Sequence, residues 1–150
     1  MTASRSIPGW IREIVLINAV VYLGLGAGFL LFPSPLAGLF DIELRSPSAL
    51  ADLRAVYGGI SLAVGGLFVA GLRRESWFAP SLFLAMTSAA ALAFSRIYSS
   101  AVSGMPGTLV LAFLGLELLA FVWALLAYRA LGAGTPDQVE NLDAASSTSS

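Results

Sequence analysis

The sequence contains no cysteine, no histidine and no lysine. Without cysteine there is no disulfide exchange and no thiol nucleophile; without histidine there is no imidazole ligand for haem or metal and no Ser-His-Asp machinery. A cysteine-free chain fits either side of a membrane, so the redox compartment stays open. Charge is scarce as well. Charged residues make up 11% of the 150, and the eight basic ones, all Arg, are scattered in ones and twos around a net charge of −1. That leaves no basic footprint for nucleic acid. No glycosylation acceptor, nucleotide-binding loop or metal-spacing motif occurs, so no cofactor is implied.

What the chain has in abundance is apolar surface, with 57% hydrophobic residues and a mean hydropathy of +0.84. Such a composition lies far outside the soluble range and points to an integral protein of the lipid bilayer. The hydrophobic runs predict helices over about 12–32, 47–72, 77–96 and 108–129, hence an all-α, four-transmembrane-helix antiparallel bundle forming one domain over 1–132. The acidic, serine-rich stretch 133–150 has no apolar periodicity and reads as a disordered tail. The first run is too long for the core of a cleaved signal peptide, and no small-x-small cleavage site follows it, so a retained span is expected. Pro33 and Pro35 stop that run. The stretch to Ala51, with Asp41, Glu43 and Arg45 among Leu36, Leu39, Phe40 and Ile42, reads as an interfacial turn. Ser46-Pro47 reads as an N-cap with proline at the first helical position.

Within these spans the polar residues are few. Asn18 shares a face with Tyr22, Leu25 and Phe29, and suits an interhelical hydrogen bond or a ligand contact. Gly24 and Gly28 form a small-residue pair fit for close packing. On the second helix Arg54, Gly58, Ser61, Gly65 and Leu72 share one face, and Arg54 is either a buried partner or an interfacial anchor. On the third, Ala85, Ala89 and Ala93 make a seam that leads to Arg96. The fourth carries Glu117 near its middle, with Ala120 and Ala124 expected on the same small-residue face.

Four spans put both termini on one side, together with Arg5, Arg12, Arg73, Arg74 and Arg129, against Arg45, Arg54 and Arg96 on the other. By the positive-inside rule both termini are expected in the cytoplasm. A rise of about 1.5 Å per residue and a hydrocarbon core of about 30 Å then place Arg54 and Arg96 at the outer boundary and Glu117 about 12 Å below it. An unpaired charge there costs about 2.5–3.5 kcal/mol or more, so Glu117 needs a partner. Helical side chains lean toward the N-terminus of their own helix, which brings Arg96 and Glu117 together and tips Arg54 away. Arg96 is therefore the expected first partner and Arg54 the second.

The order and spacing of these residues resemble the bacterial four-helix membrane proteins grouped as domain of unknown function 4345. The resemblance covers about Ile14 to Tyr128. It rests on G-A-G-F-L-L-F-P ending the first helix, L-R-A-V-Y-G-G opening the second, Ser95-Arg96, Ser103-Gly104-Met105-Pro106 and L-E-L around Glu117. Where that family often has an acid before the loop glycine, this chain has Ser103. The resemblance implies a four-span fold in a bacterial inner membrane and supports Arg54, Tyr57, Gly58, Arg96 and Glu117 as a linked set; it implies no activity.

Three functions compete. The first is binding of a small polar or amphipathic molecule, a lipid included, near the outer leaflet through Arg54, Tyr57, Arg96, Glu117 and Asn18. The second is a structural or accessory membrane subunit in which the Arg-Glu cluster is only an ion pair and the glycine faces pack against a partner or another copy. The third is proton-coupled small-molecule export, similar to the small multidrug transporters, whose carboxylate however sits on the first helix. Enzyme chemistry is the least supported, because no nucleophile or metal set accompanies Glu117.

Overall fold

A computed structural model of the protein describes residues 7–132. Regular structure among the described residues is helical throughout, and four helices are long and apolar enough to cross a bilayer: Gly9–Leu31, Pro47–Arg73, Glu75–Ser103 and Thr108–Leu131. The tail expected at 133–150 lies outside the described residues.

Helix α1 (Gly9–Leu31) holds the first apolar run. It ends where Pro33 and Pro35 have no N–H to offer the carbonyls of Phe29 and Leu31, four residues back. Phe32 closes the last turn by donating its backbone N–H to the Gly28 carbonyl at 2.7 Å. Pro33 then opens α2 (Pro33–Leu39). That short helix finishes with the Ile42 N–H donating to the Ala37 carbonyl and the Asp41 N–H to the Gly38 carbonyl, while Asp41 itself takes a φ of 55°. A left-handed residue at this position closes a helix C-terminus, and aspartate tolerates the conformation better than a branched side chain would. The interfacial turn is thus a folded cap at the end of the bundle opposite the chain termini, the far end.

The second span is one rod with a wide turn inside it. Ser46 accepts a hydrogen bond from the Ala49 N–H at 3.1 Å and Pro47 fills the first helical position, as the Ser-Pro pair predicts. Helix α3 (Pro47–Leu53) leads into a π-helical stretch, Arg54–Gly59, and then into α4 (Ile60–Arg73). A single 3-10 turn, Glu75–Trp77, reverses the chain into α5 (Phe78–Ser103). That helix continues past the expected boundary at Arg96. Its serines stay helical by turning their hydroxyls onto the preceding turn, Ser95 to Ala91 and Ser100 to Arg96, and the stop comes at Gly104, whose φ of 93° favours glycine. Helix α6 (Thr108–Gly132) returns to the termini end.

Packing pairs α1 with α4 and α5 with α6, with α4 against α5 as the principal seam between the pairs. The main core cluster draws Ile11, Val15, Phe68, Leu82, Ala85 and Ala124 from all four spans. A smaller cluster, Phe29, Ala37 and Leu53 with Leu36, Phe40 and Leu44, ties the α2 cap to the rods at the far end. Gly58, Gly65 and the alanine seam Ala85, Ala89 and Ala93 are buried as their spacing predicts. Gly24 is a correction: it is exposed, a Cβ there would meet nothing within 4 Å, and Gly26 makes the close approach instead. Ala120 is another: it is exposed while Ala124 and Ala127 are buried, because α6 meets the main cluster only in its termini-side half. Ile17, Val20, Leu116, Leu119 and Trp123 stand exposed, a surface suited to hydrocarbon rather than water.

Candidate functional site

The alanine seam of α5 lets α6 come close, and one turn beyond Ala93 the two helices join by charge. Arg96 donates its Nε–H to Glu117, with Nε 2.8 Å from Oε1 and 3.0 Å from Oε2. The side chains are 25% and 12% exposed, so the carboxylate is the better covered of the two. The guanidinium carbon lies 5.5 Å from the Phe113 ring centroid, a cation–π distance, one turn above Glu117 on α6. Phe113 in turn meets Phe40 of the far-end cap, ring centroids 5.8 Å apart. Charge pair, aromatic and cap therefore form a continuous stack. The expected partnership of Arg96 and Glu117 is present.

Arg54 is not part of it. Its Nε donates to the Leu30 carbonyl at 3.2 Å, and no hydrogen bond or ion pair links it to Glu117 among the described residues. Pro33 and Pro35 leave the last turn of α1 short of donors at the negative end of the helix dipole, so a guanidinium there satisfies both geometry and charge. The other end of the same helix pair repeats the arrangement: Arg12, in the first turn of α1, donates from Nη2 to the Leu72 carbonyl in the last turn of α4 at 3.0 Å. Each antiparallel partner caps the other. Sequence reasoning passed over Arg12, although an arginine in the first turn of a helix that packs antiparallel on another has the position for this bond.

Tyr57 is half exposed and packs at a tilt against Phe29 of α1, centroids 5.2 Å apart. It stands in the π-helical stretch, in which Ile60 donates its N–H to the Ala55 carbonyl five residues back. A Cβ at Gly58 would come 3.2 Å from the Leu30 nitrogen, so the wide turn lies directly against α1. Asn18 uses its Nδ2 on the Ile14 carbonyl of its own helix at 2.9 Å, and so spends a donor within α1 rather than across to a neighbour. Of the five residues singled out by sequence, the structure brings Arg96 and Glu117 together, sets Arg54 and Tyr57 on the α1–α4 contact and leaves Asn18 with its own helix.

Two open grooves lie elsewhere. One of about 420 Å³ is lined by Gly9, Arg12, Glu13, Leu16 and Leu72; the other, about 290 Å³, lies between α4 and α5 near Trp77, Ser81 and Thr87. No group of three acidic, histidine or cysteine side chains able to hold a metal occurs among the described residues.

A family model described as domain of unknown function (DUF4345) matches residues 11–128, a stretch that reaches into all four spans. No curated protein and no solved structure matches the chain.

Proposed function

Since the chain belongs to the DUF4345 family, whose description carries no activity, we propose that it is a structural or accessory membrane subunit whose Arg96–Glu117 pair locks α5 to α6. One observation carries this reading: the pair is closed, stacked on Phe113 and tied through Phe40 to the far-end cap. The other arginines between helices, Arg12 and Arg54, act on backbone carbonyls in the same holding role. Binding of a small polar or amphipathic molecule through Arg54, Tyr57, Arg96, Glu117 and Asn18 is the second reading, favoured by the open quarter of Arg96 and the open half of Tyr57. Proton-coupled export is less supported, because Glu117 is already held by Arg96.

Gentle purification followed by mass spectrometry of co-purifying molecules separates the first two. The structural reading expects the same water-soluble small molecules, at background level, from wild type and Glu117→Gln. A metabolite present with wild type and lost with Glu117→Gln overturns it.

For location we propose a bacterial inner membrane with both termini cytoplasmic. Support comes from Arg73, Arg74 and Arg129 at the termini end, against Arg45 at the far end, once Arg12, Arg54 and Arg96 are counted as helix partners. A reporter active only in the cytoplasm should give signal when fused after Ser150, and one active only in the periplasm should give none; the reverse pattern rejects the orientation.

A further inference from the structure

We infer that the groove at the start of α1 holds the headgroup of a phosphatidylethanolamine, with the phosphate on Arg12 and the ammonium on Glu13. The groove has a volume of about 420 Å³ and is lined by Gly9, Arg12, Glu13 and Leu16 of α1 with Leu72 of α4. That size falls within the range of about 300–1,000 Å³ usual for small-molecule sites. The four α1 residues recur at i, i+3, i+4 and i+7 and so share one face, while Ile11, Ile14 and Val15 on the opposite side fill the core. Successive residues on a helix stand about 100° apart, so Arg12 and Glu13 flank the line from Gly9 to Leu16, a cation on one side and an anion on the other.

The guanidinium itself lies at the membrane face. Its Nη2 donates to the Leu72 carbonyl in the last turn of α4, which ends at Arg73. Side chains on α1 lean toward the N-terminus of that helix, and so out of the bilayer. Trp10 and Trp77 stand half exposed at the same end, the height at which interfacial aromatics sit. Arg12 spends only Nη2: its Nε and Nη1 make no hydrogen bond among the described residues, and neither does the exposed Glu13 carboxylate. A planar guanidinium that serves a carbonyl on one edge still has donors for phosphate oxygens on another. Leu16, one turn deeper and half exposed, carries the groove from that charged rim toward hydrocarbon. Charges at the outer end and leucine below fit a lipid that bears phosphate and ammonium on a short ethylene bridge above its acyl chains. Basic pockets between transmembrane helices take headgroups in general, and here the carboxylate selects the zwitterion. Phosphatidylglycerol offers Glu13 no cation, and the trimethylated nitrogen of phosphatidylcholine has no N–H to donate. The inference goes beyond the locking role proposed above, because the groove lies at the other end of the bundle from Arg96 and Glu117.

The test is native mass spectrometry of the full chain in micelles, with phosphatidylethanolamine, phosphatidylcholine and phosphatidylglycerol of identical acyl chains as probes. Wild type is expected to retain phosphatidylethanolamine roughly tenfold over the other two, as one charge-assisted hydrogen bond implies. Glu13→Gln should remove that preference, and the exposed position of Glu13 keeps the fold out of the result. Gly9→Leu, at a site where a Cβ would meet nothing within 4 Å, should remove it as well by filling the groove. Soluble phosphoethanolamine in millimolar excess should leave lipid retention unchanged. Equal retention of phosphatidylethanolamine and phosphatidylcholine by wild type overturns the inference, and so does a preference for phosphatidylglycerol. A preference that survives in Glu13→Gln or in Gly9→Leu overturns it too, since the carboxylate or the groove is then not the site. Displacement of the lipid by phosphoethanolamine overturns it in favour of a soluble ligand. None of these outcomes touches the locking role, which is read from Glu117→Gln.

Discussion

Arg96→Met is expected to destabilise the protein by about 3 kcal/mol or more, Glu117→Leu by about 2 kcal/mol, and the two together by less than either alone. The order follows from what each single change leaves behind. Removing Arg96 strands the carboxylate, whose side chain is only 12% exposed and sits against α5 in the interior of the bilayer. Removing Glu117 strands a guanidinium that is 25% exposed and whose long, flexible stem can turn it toward water or headgroups. Removing both leaves two apolar chains of similar volume over Phe113, with no charge to desolvate. A double-mutant cycle read from reversible unfolding in mixed micelles gives the coupling directly. Additive costs would show that the two side chains do not act as a pair, and a double variant as poor as Arg96→Met would show that the charge itself, not its neutralisation, holds the helices.

Much of this pair could be read before any coordinates. Helical rise, the antiparallel order of spans and the lean of side chains toward their own N-terminus bring the side chains of Arg96 and Glu117 toward each other, and those rules act locally. The same holds for the Ser46 cap, the proline stop at Pro33 and the alanine seam. What escaped depended on backbone outside the regular α-helix or on the choice among equivalent small residues. Arg54 is expected from the sequence as a second partner that tips away from Glu117; its guanidinium instead answers the Leu30 carbonyl at the broken end of α1, beside a π-helical stretch that periodicity does not reveal. Serines suggest a turn just after Arg96, yet hydroxyls bonded to the preceding turn let Ser95 and Ser100 remain in a helix. Gly24, Gly26 and Gly28 look alike in sequence, and only the crossing of α1 on α4 selects Gly26.

That selection carries the other large effect. A Cβ at Gly26 would lie 2.7 Å from the Leu62 backbone nitrogen and from its Cγ; one at Gly65 would lie 2.7 Å from the Leu23 side chain and 3.0 Å from its nitrogen. Each leucine is thus the knob that fills the other helix's glycine gap. Gly26→Ala and Gly65→Ala are each expected to cost about 2–3 kcal/mol, since the helices must separate to make room. Gly24→Ala and Gly66→Ala, with nothing within 4 Å, should be neutral or gain up to about 1 kcal/mol of helix propensity. Combining Gly26→Ala with Gly65→Ala should cost less than the sum, because one separation relieves both contacts. Shortening the knob separates the two sites further. Leu23→Ala should recover part of the Gly65→Ala loss, whose nearest atoms are side chain, whereas Leu62→Ala should recover less at Gly26, where a backbone nitrogen is equally near. Unfolding midpoints in mixed micelles decide it: equal costs at Gly24 and Gly26 would mean that the α1–α4 contact does not run through Gly26. The caps from Arg12 and Arg54 would then hold two helices in contact elsewhere.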